Sequence, residues 1–138
     1  MADSRAFISF DADNNYDEKV LFCGQTYLAS VPFSVQDWSS KQVLPQKIWE
    51  QTIADKISRC HMLIVLVGKK TSFAAGVAKE IAMASKTNVP LFGVYVGGAD
   101  STTALPVGLQ RNRTIPWKWE QISAAVDQML REGKNVSK

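Results

Sequence analysis

The chain has 138 residues, 46% of them hydrophobic and 21% charged, with a formal net charge of +3. That is enough to bury about two-thirds of the unfolded surface in one domain, residues 1-138, without disulfide or metal staples. The positive excess is spread along the chain, so no basic block marks a nucleic-acid or membrane-surface arm.

The N-terminus, MADSRAFISF, carries acid and arginine where a secretory leader needs a basic and then an apolar stretch. The most apolar run, Met62 to Val67, is too short to span a bilayer. Both features predict a cytoplasmic protein. Two cysteines, Cys23 and Cys60, fall in different predicted elements and read as free thiols in a reducing compartment. The single histidine, His61, stands just before an apolar run, a poor place for a general base. So few soft ligands argue against a structural zinc site.

Four apolar runs rich in β-branched or aromatic residues come first: AFISF (6–10), VPFSV (31–35), MLIVLVG (62–68) and PLFGVYVGG (90–98). RTIPW (113–117) is a weaker fifth. Runs apolar at nearly every position predict strands covered on both faces, as in parallel sheets. Helical spacing fills most of the gaps. Asn14 or Asn15 caps a first helix running to about Ala29, with Asp17 and Glu18 in its first turn. Pro45 suits the first turn of a second helix, which carries Ile48, Ile53 and Ile57 on one stripe and ends near Arg59. A third presents Val77, Ile81 and Ala84 at i, i+4 and i+7. A fourth runs from about Trp119 to Glu132 and stops at Gly133. The glycine- and threonine-rich segment 97–113 reads as a long loop with one short turn.

This alternation predicts an α/β fold with an open, mostly parallel sheet and helices on both faces. Ligands in such folds bind beyond the carboxyl ends of the strands, which singles out four polar loops. They are Phe10 to Asn15, Gln36 to Ser40, Gly68 to Ser72 with the helix leading to Glu80, and Gly97 to Asp100. The aspartates and asparagines of the first loop are also good turn formers. An aspartate-rich first loop suits a phospho-receiver, but such a site needs an acceptor aspartate where this chain has Val67-Gly68. No GxGxxG or GxxxxGK[ST] is present. Trp38 is a candidate aromatic platform, or a residue packed over the sheet edge. By its spacing alone, Glu80 flanks the buried stripe of its helix, where solvated glutamates are common.

Four stretches together resemble the TIR-like domain of the Thoeris anti-phage defence signal-producing subunit, a branch of the TIR superfamily. They are FISFDADNN, VPFSVQDWS, LIVLVGKKT and V-x-x-E-I at Val77 to Ile81. Gly68, Lys69, Thr71, Val77, Glu80 and Ile81 fall in register over fourteen positions, and the likeness runs from about residue 5 to 97. Two positions depart from the family pattern, Ala74 in place of a serine and Gly76 in place of a tryptophan. If that tryptophan walls the pocket, Gly76 leaves a hole for another side chain or a larger ligand to fill.

The resemblance implies a flavodoxin-like, TIR-like three-layer sandwich around a mostly parallel five-stranded sheet. It implies an enzyme that uses NAD as substrate, with no separate cofactor and no metal. Such an enzyme cleaves the nicotinamide–ribose bond and makes a cyclic or conjugated ADP-ribose signal for a downstream effector. Glu80 takes the position of the catalytic glutamate. By position in the loops, Phe10 and Trp38 are candidates for stacking. Asp11, Asn14, Asp37, Ser39 and Thr71 are candidates for hydrogen bonds to substrate, and Lys69 or Lys70 for the pyrophosphate. Self-association into a homo-oligomer is expected. The alternative is a non-catalytic self-association module, and nucleic-acid and membrane partners are not expected.

Overall fold

The computed structural model describes residues 4–28, 31, 33–39 and 45–132. Five strands, β1 (Arg5–Ser9), β2 (Ser34–Trp38), β3 (Met62–Val67), β4 (Leu91–Tyr95) and β5 (Thr114–Ile115), form one sheet in the order β2-β1-β3-β4-β5. Every pairing is parallel. Four helices connect or flank them: α1 (Tyr16–Leu28), α2 (Gln46–Ser58), α3 (Ala75–Lys86) and α4 (Trp119–Glu132). None of the described helices is long and apolar enough to cross a membrane.

The central strand β3 is buried at all six positions, MLIVLV, as a strand covered by helices on both faces must be. On one face, Ala6, Ile8, Ile64, Leu66 and Val94 pack against Phe22 of α1 and Ile122, Val126 and Met129 of α4. On the other, Phe7, Leu63, Val65 and Val67 pack against Trp49, Ile53 and Ile57 of α2 and Val77, Ile81 and Ala84 of α3. Each of the valine, leucine, isoleucine, methionine and phenylalanine side chains among them contributes roughly 1.5–3 kcal/mol when fully withdrawn from water. These are the three layers expected of a flavodoxin-like sandwich.

Two boundaries differ from the sequence reading. The second strand lies three residues later than the VPFSV run suggested, at Ser34–Trp38. Proline at 32 lacks the N–H that a parallel ladder uses, and pairing with β1 begins only at Arg5 opposite Ser34. The stripe on α2 is Trp49, Ile53 and Ile57, at i, i+4 and i+8, while Ile48 is half exposed. Gly133, the expected stop of α4, lies outside the described residues. The 97–113 segment is the expected loop, with one short 3-10 turn at Arg111–Arg113.

The β1–β2 register slips once. Ala6 faces Val35, but Phe7 faces Asp37, so β2 carries one extra residue. Side chains alternate faces along a strand, and an inserted residue inverts the alternation beyond it. Trp38 therefore lies opposite Ile8, and Ser39 follows on the α2/α3 side, the side of Ser9.

Candidate functional site

The strand order reverses between β1 and β3, so the loops at their carboxyl ends splay apart and leave a crevice. A cavity of about 540 Å³ occupies it, lined by Phe10, Asp11, Asp13 and Asn14 from the first loop and Ser39 from the end of β2. Lys70 and Phe73 come from the third loop, Trp49 from α2, and Gly76, Lys79 and Glu80 from α3. Its size falls in the range that encloses a small-molecule ligand.

Glu80 is the chemical centre of this cavity. It is only 1% exposed, on the buried rather than the wet side of α3. Two hydroxyls converge on one carboxylate oxygen: Ser9 Oγ donates to Oε1 at 2.6 Å and Ser39 Oγ at 2.5 Å. Ser39 Oγ in turn accepts from the Phe10 backbone N–H at 3.1 Å, which commits the hydroxyl's own proton to Glu80. The other carboxylate oxygen, Oε2, is buried with no partner among the described residues. Burial pushes the Glu80 carboxyl up to about 7, and the hydrogen bonds from Ser39 and Ser9 restrain the rise. A carboxylate held by one oxygen, with the other unsatisfied in a ligand-sized cavity, is arranged to meet a positive or hydrogen-bond-donating ligand.

The first loop is shaped by its own side chains. Asp11 is 6% exposed; its carboxylate accepts from Asp13 N at 3.1 Å and Asn14 Nδ2 at 2.7 Å, and its carbonyl accepts from Asn14 N and Asn15 N. This is an Asx-type turn, and it orders the rim through which Asn14 and Asp13 face the cavity. The third loop is tied to the first by Thr71. Its hydroxyl accepts from Gly68 N at 2.8 Å and donates to Asn15 Oδ1 at 3.3 Å. Gly68 allows this contact, because a Cβ there would stand 2.4–2.7 Å from the Asn15 amide.

Of the residues singled out in the sequence, Phe10, Asp11, Asn14, Ser39 and Glu80 come together around the cavity. Thr71 is fully buried and joins the two loops instead of lining the cavity. Lys69 extends toward Gly98 in the loop after β4, while its neighbour Lys70 lines the cavity. Trp38 lies on the α1 side, with the Lys19 ammonium 4.0 Å from its ring centroid and also within 5.7 Å of Phe10 and 5.2 Å of Tyr16. Lys19 is only 7% exposed, and this ring of aromatic faces is what stabilises its charge. The Asp37 side chain lies outside the described part of the structure.

Two important contacts were not singled out. Ser9 is the one hydroxyl in the otherwise apolar run AFISF, and that interruption was a readable signal. Trp49 takes the buried place on α2 that the sequence pattern assigns to its neighbour Ile48. It is 6% exposed and lines the cavity, and its Cη2 stands 4.0 Å from where a Gly76 Cβ would be. An aromatic from α2 thus abuts the gap that glycine leaves on α3. Its indole Nε1 is buried without a partner among the described residues, a deficit typically of about 1–3 kcal/mol. Next to Trp49, Glu50 pairs with Lys79, the neighbour of Glu80, at 3.2 Å on the partly exposed side of the two helices.

Residues 7–101 match the family model for the Thoeris protein ThsB, TIR-like domain. The chain belongs to that family. Among solved structures, it is similar to the IL-17 receptor B SEFIR domain, at 11% identity and TM-score 0.59, over 92% of this chain and 94% of that one. It is also similar to a prokaryotic SEFIR domain, at 15% identity and TM-score 0.51, over 93% and 90%. At such identities the likeness concerns the fold. No curated protein matches.

Proposed function

We propose that this chain is an NAD-consuming enzyme that breaks the bond between nicotinamide and ribose. It makes an ADP-ribose-type signal, cyclic in our reading, for a downstream effector in anti-phage immunity. The observation that carries the reading is Glu80 itself, with Oε1 fixed by Ser9 and Ser39 and Oε2 buried and unsatisfied in a 540 Å³ cavity.

The chemistry asks little more. The bond from ribose C1′ to the pyridinium nitrogen breaks with its electron pair leaving on nitrogen, so nicotinamide departs neutral without an acid. The ribose becomes an oxocarbenium-like cation, which the Glu80 carboxylate stabilises electrostatically from a water-poor position. Water, or a nucleophilic atom of the ADP-ribose portion, then captures C1′. Phe10 supplies an apolar wall, Asn14 and Asp13 supply polar rim groups, and Lys70 supplies positive charge for the pyrophosphate. Family membership supports the reading, since the Glu80 register belongs to the motif that carries the resemblance.

The test is mass spectrometry of NAD reactions with wild type and Glu80→Gln, at protein concentrations high enough for self-association. Nicotinamide release by wild type and its loss in Glu80→Gln is the expected result. Equal release by both proteins removes Glu80 from the mechanism. No turnover under any assembly condition favours a non-catalytic self-association module.

A further inference from the structure

We infer that Trp49 is a substrate-binding and specificity-determining residue, whose indole N–H donates to the carboxamide carbonyl of the departing pyridine ring. This rests on the proposed NAD reading and adds to it a residue from α2, outside the loops and the α3 register that define the site.

Two residues lining the cavity each carry a buried polar atom without a partner among the described residues, the acceptor Glu80 Oε2 and the donor Trp49 Nε1. An indole needs no such position for packing alone. Buried Trp N–H groups ordinarily find a partner, and elsewhere in this chain Trp117 and Trp119 do, both donating to Gln25 Oε1 at 3.1 and 2.7 Å. Trp49 is the described tryptophan whose donor is buried and left over, and it is the one that lines the cavity.

The position of the indole narrows what it meets. Its Cη2 stands 4.0 Å from where a Gly76 Cβ would be, one turn of α3 before Glu80, so the indole borders the same wall of the cavity as the carboxyl. α2 and α3 pack on one another through the apolar cluster that holds Trp49, Ile53, Val77 and Ile81, so Trp49 and Glu80 are carried by adjoining helices. If Glu80 addresses C1′, the group bonded to C1′ is the pyridine ring, and that ring is the part of the substrate brought nearest to the indole on the same cavity wall. Its carboxamide carries a strong neutral acceptor one bond from the ring. A ring-edge donor such as indole N–H is the partner for an in-plane carbonyl.

The experiment uses the full-length, isotopically labelled protein and follows the four indole N–H resonances by NMR. The probe is carba-NAD, in which a methylene replaces the ribose ring oxygen, so no oxocarbenium forms and Glu80 stays intact. The Trp49 signal is assigned by its contacts to Gly76 and Val77, and independently by its loss in Trp49→Phe. Saturating carba-NAD should shift the Trp49 indole proton more than the other three. Nicotinamide alone should reproduce that shift, and pyridine, which lacks the carbonyl, should not. Trp49→Phe should weaken carba-NAD binding about tenfold.

Shifts among the amides of Gly76, Val77 and Glu80 with an unmoved Trp49 indole overturn this inference and leave the NAD reading standing. A Trp49 shift produced by ADP-ribose but not by nicotinamide also overturns it, since the donor would then serve the ribose side. If carba-NAD moves no signal lining the cavity, the NAD reading fails and this inference fails with it.

Discussion

Ser39 and Glu80 are 41 positions apart in the chain and 2.5 Å apart in space, hydroxyl to carboxylate. Ser39→Ala removes this donor and leaves the Phe10 N–H without its acceptor. With burial then less opposed, the Glu80 carboxyl should titrate higher still. We expect about a tenfold loss of NAD cleavage at pH 7, on the general magnitude for removing a hydrogen bond to a charged group. The loss should shrink as the pH is raised. A pH-independent defect would mean that Ser39 acts through the shape of the cavity and not through the ionisation of Glu80.

The pH dependence of the wild type follows from the same carboxyl. Its pKa of about 7 belongs to the free protein, and burial is the dominant cause. The anion is the form that stabilises a cation, so kcat/KM should rise with pH through a midpoint near 7. On the proposed reading, bound NAD would bring the positive nicotinamide ring toward Glu80 and favour the anion, so the corresponding midpoint in kcat should lie lower. Comparing the two profiles tests the ring's proximity. Coincident midpoints would place the positive ring away from Glu80.

Stability should respond to Glu80 with the opposite sense. Its folded pKa is about 7, above the ordinary 4.5. Folding therefore favours the protonated carboxyl; the benefit is full below pH 4.5 and lost as pH rises through 7. The shift corresponds to roughly 3 kcal/mol between those limits. Glu80→Gln should melt higher than wild type at pH 8, with the difference closing toward pH 5. Thermal melts at the two pH values check it, and equal melting at pH 8 would show that the fold offsets the charge.

Gly68 is a packing requirement that a double-mutant cycle can isolate. In Gly68→Ala the new Cβ meets the Asn15 amide at 2.4–2.7 Å, and Asn15 is held by Glu18 and Thr71. A loss of about 1–3 kcal/mol is expected in denaturant unfolding. Adding Asn15→Ala should return part of it, because the clash and its partner are removed together. Strictly additive losses would locate the strain elsewhere.

The layers, the parallel sheet and the crevice were legible because β3 is apolar throughout and α3 repeats at i, i+4 and i+7, patterns set by burial. Glu80 was legible through its register in the family motif, but its depth was not: periodicity placed it at a flank, and only packing shows it 1% exposed. Trp49 was hidden for a different reason. Ile48 and Trp49 are both apolar, and a one-residue error in phase exchanges the exposed residue for the buried one. Lys69 sits in the expected loop and Trp38 ends β2, where a loop from Gln36 was expected, yet the cavity uses their neighbours Ser39 and Lys70. A loop's location is written in the pattern of strands, but the direction of each side chain depends on pairing between strands.

The extra residue in β2 turns that last point into a constraint on the shape of the strand. With strict alternation from Val35, position 38 and not 39 would lie on the side of Glu80. Glu80 would then face an indole, and the hydroxyl would go to the opposite layer. Removing the one residue between 35 and 37 should instead be tolerated at this contact, because strict alternation then keeps Asp37 opposite Phe7, Trp38 opposite Ile8 and Ser39 on the side of Glu80. The bulge is thus what lets a strand one residue too long still deliver its hydroxyl to the carboxylate.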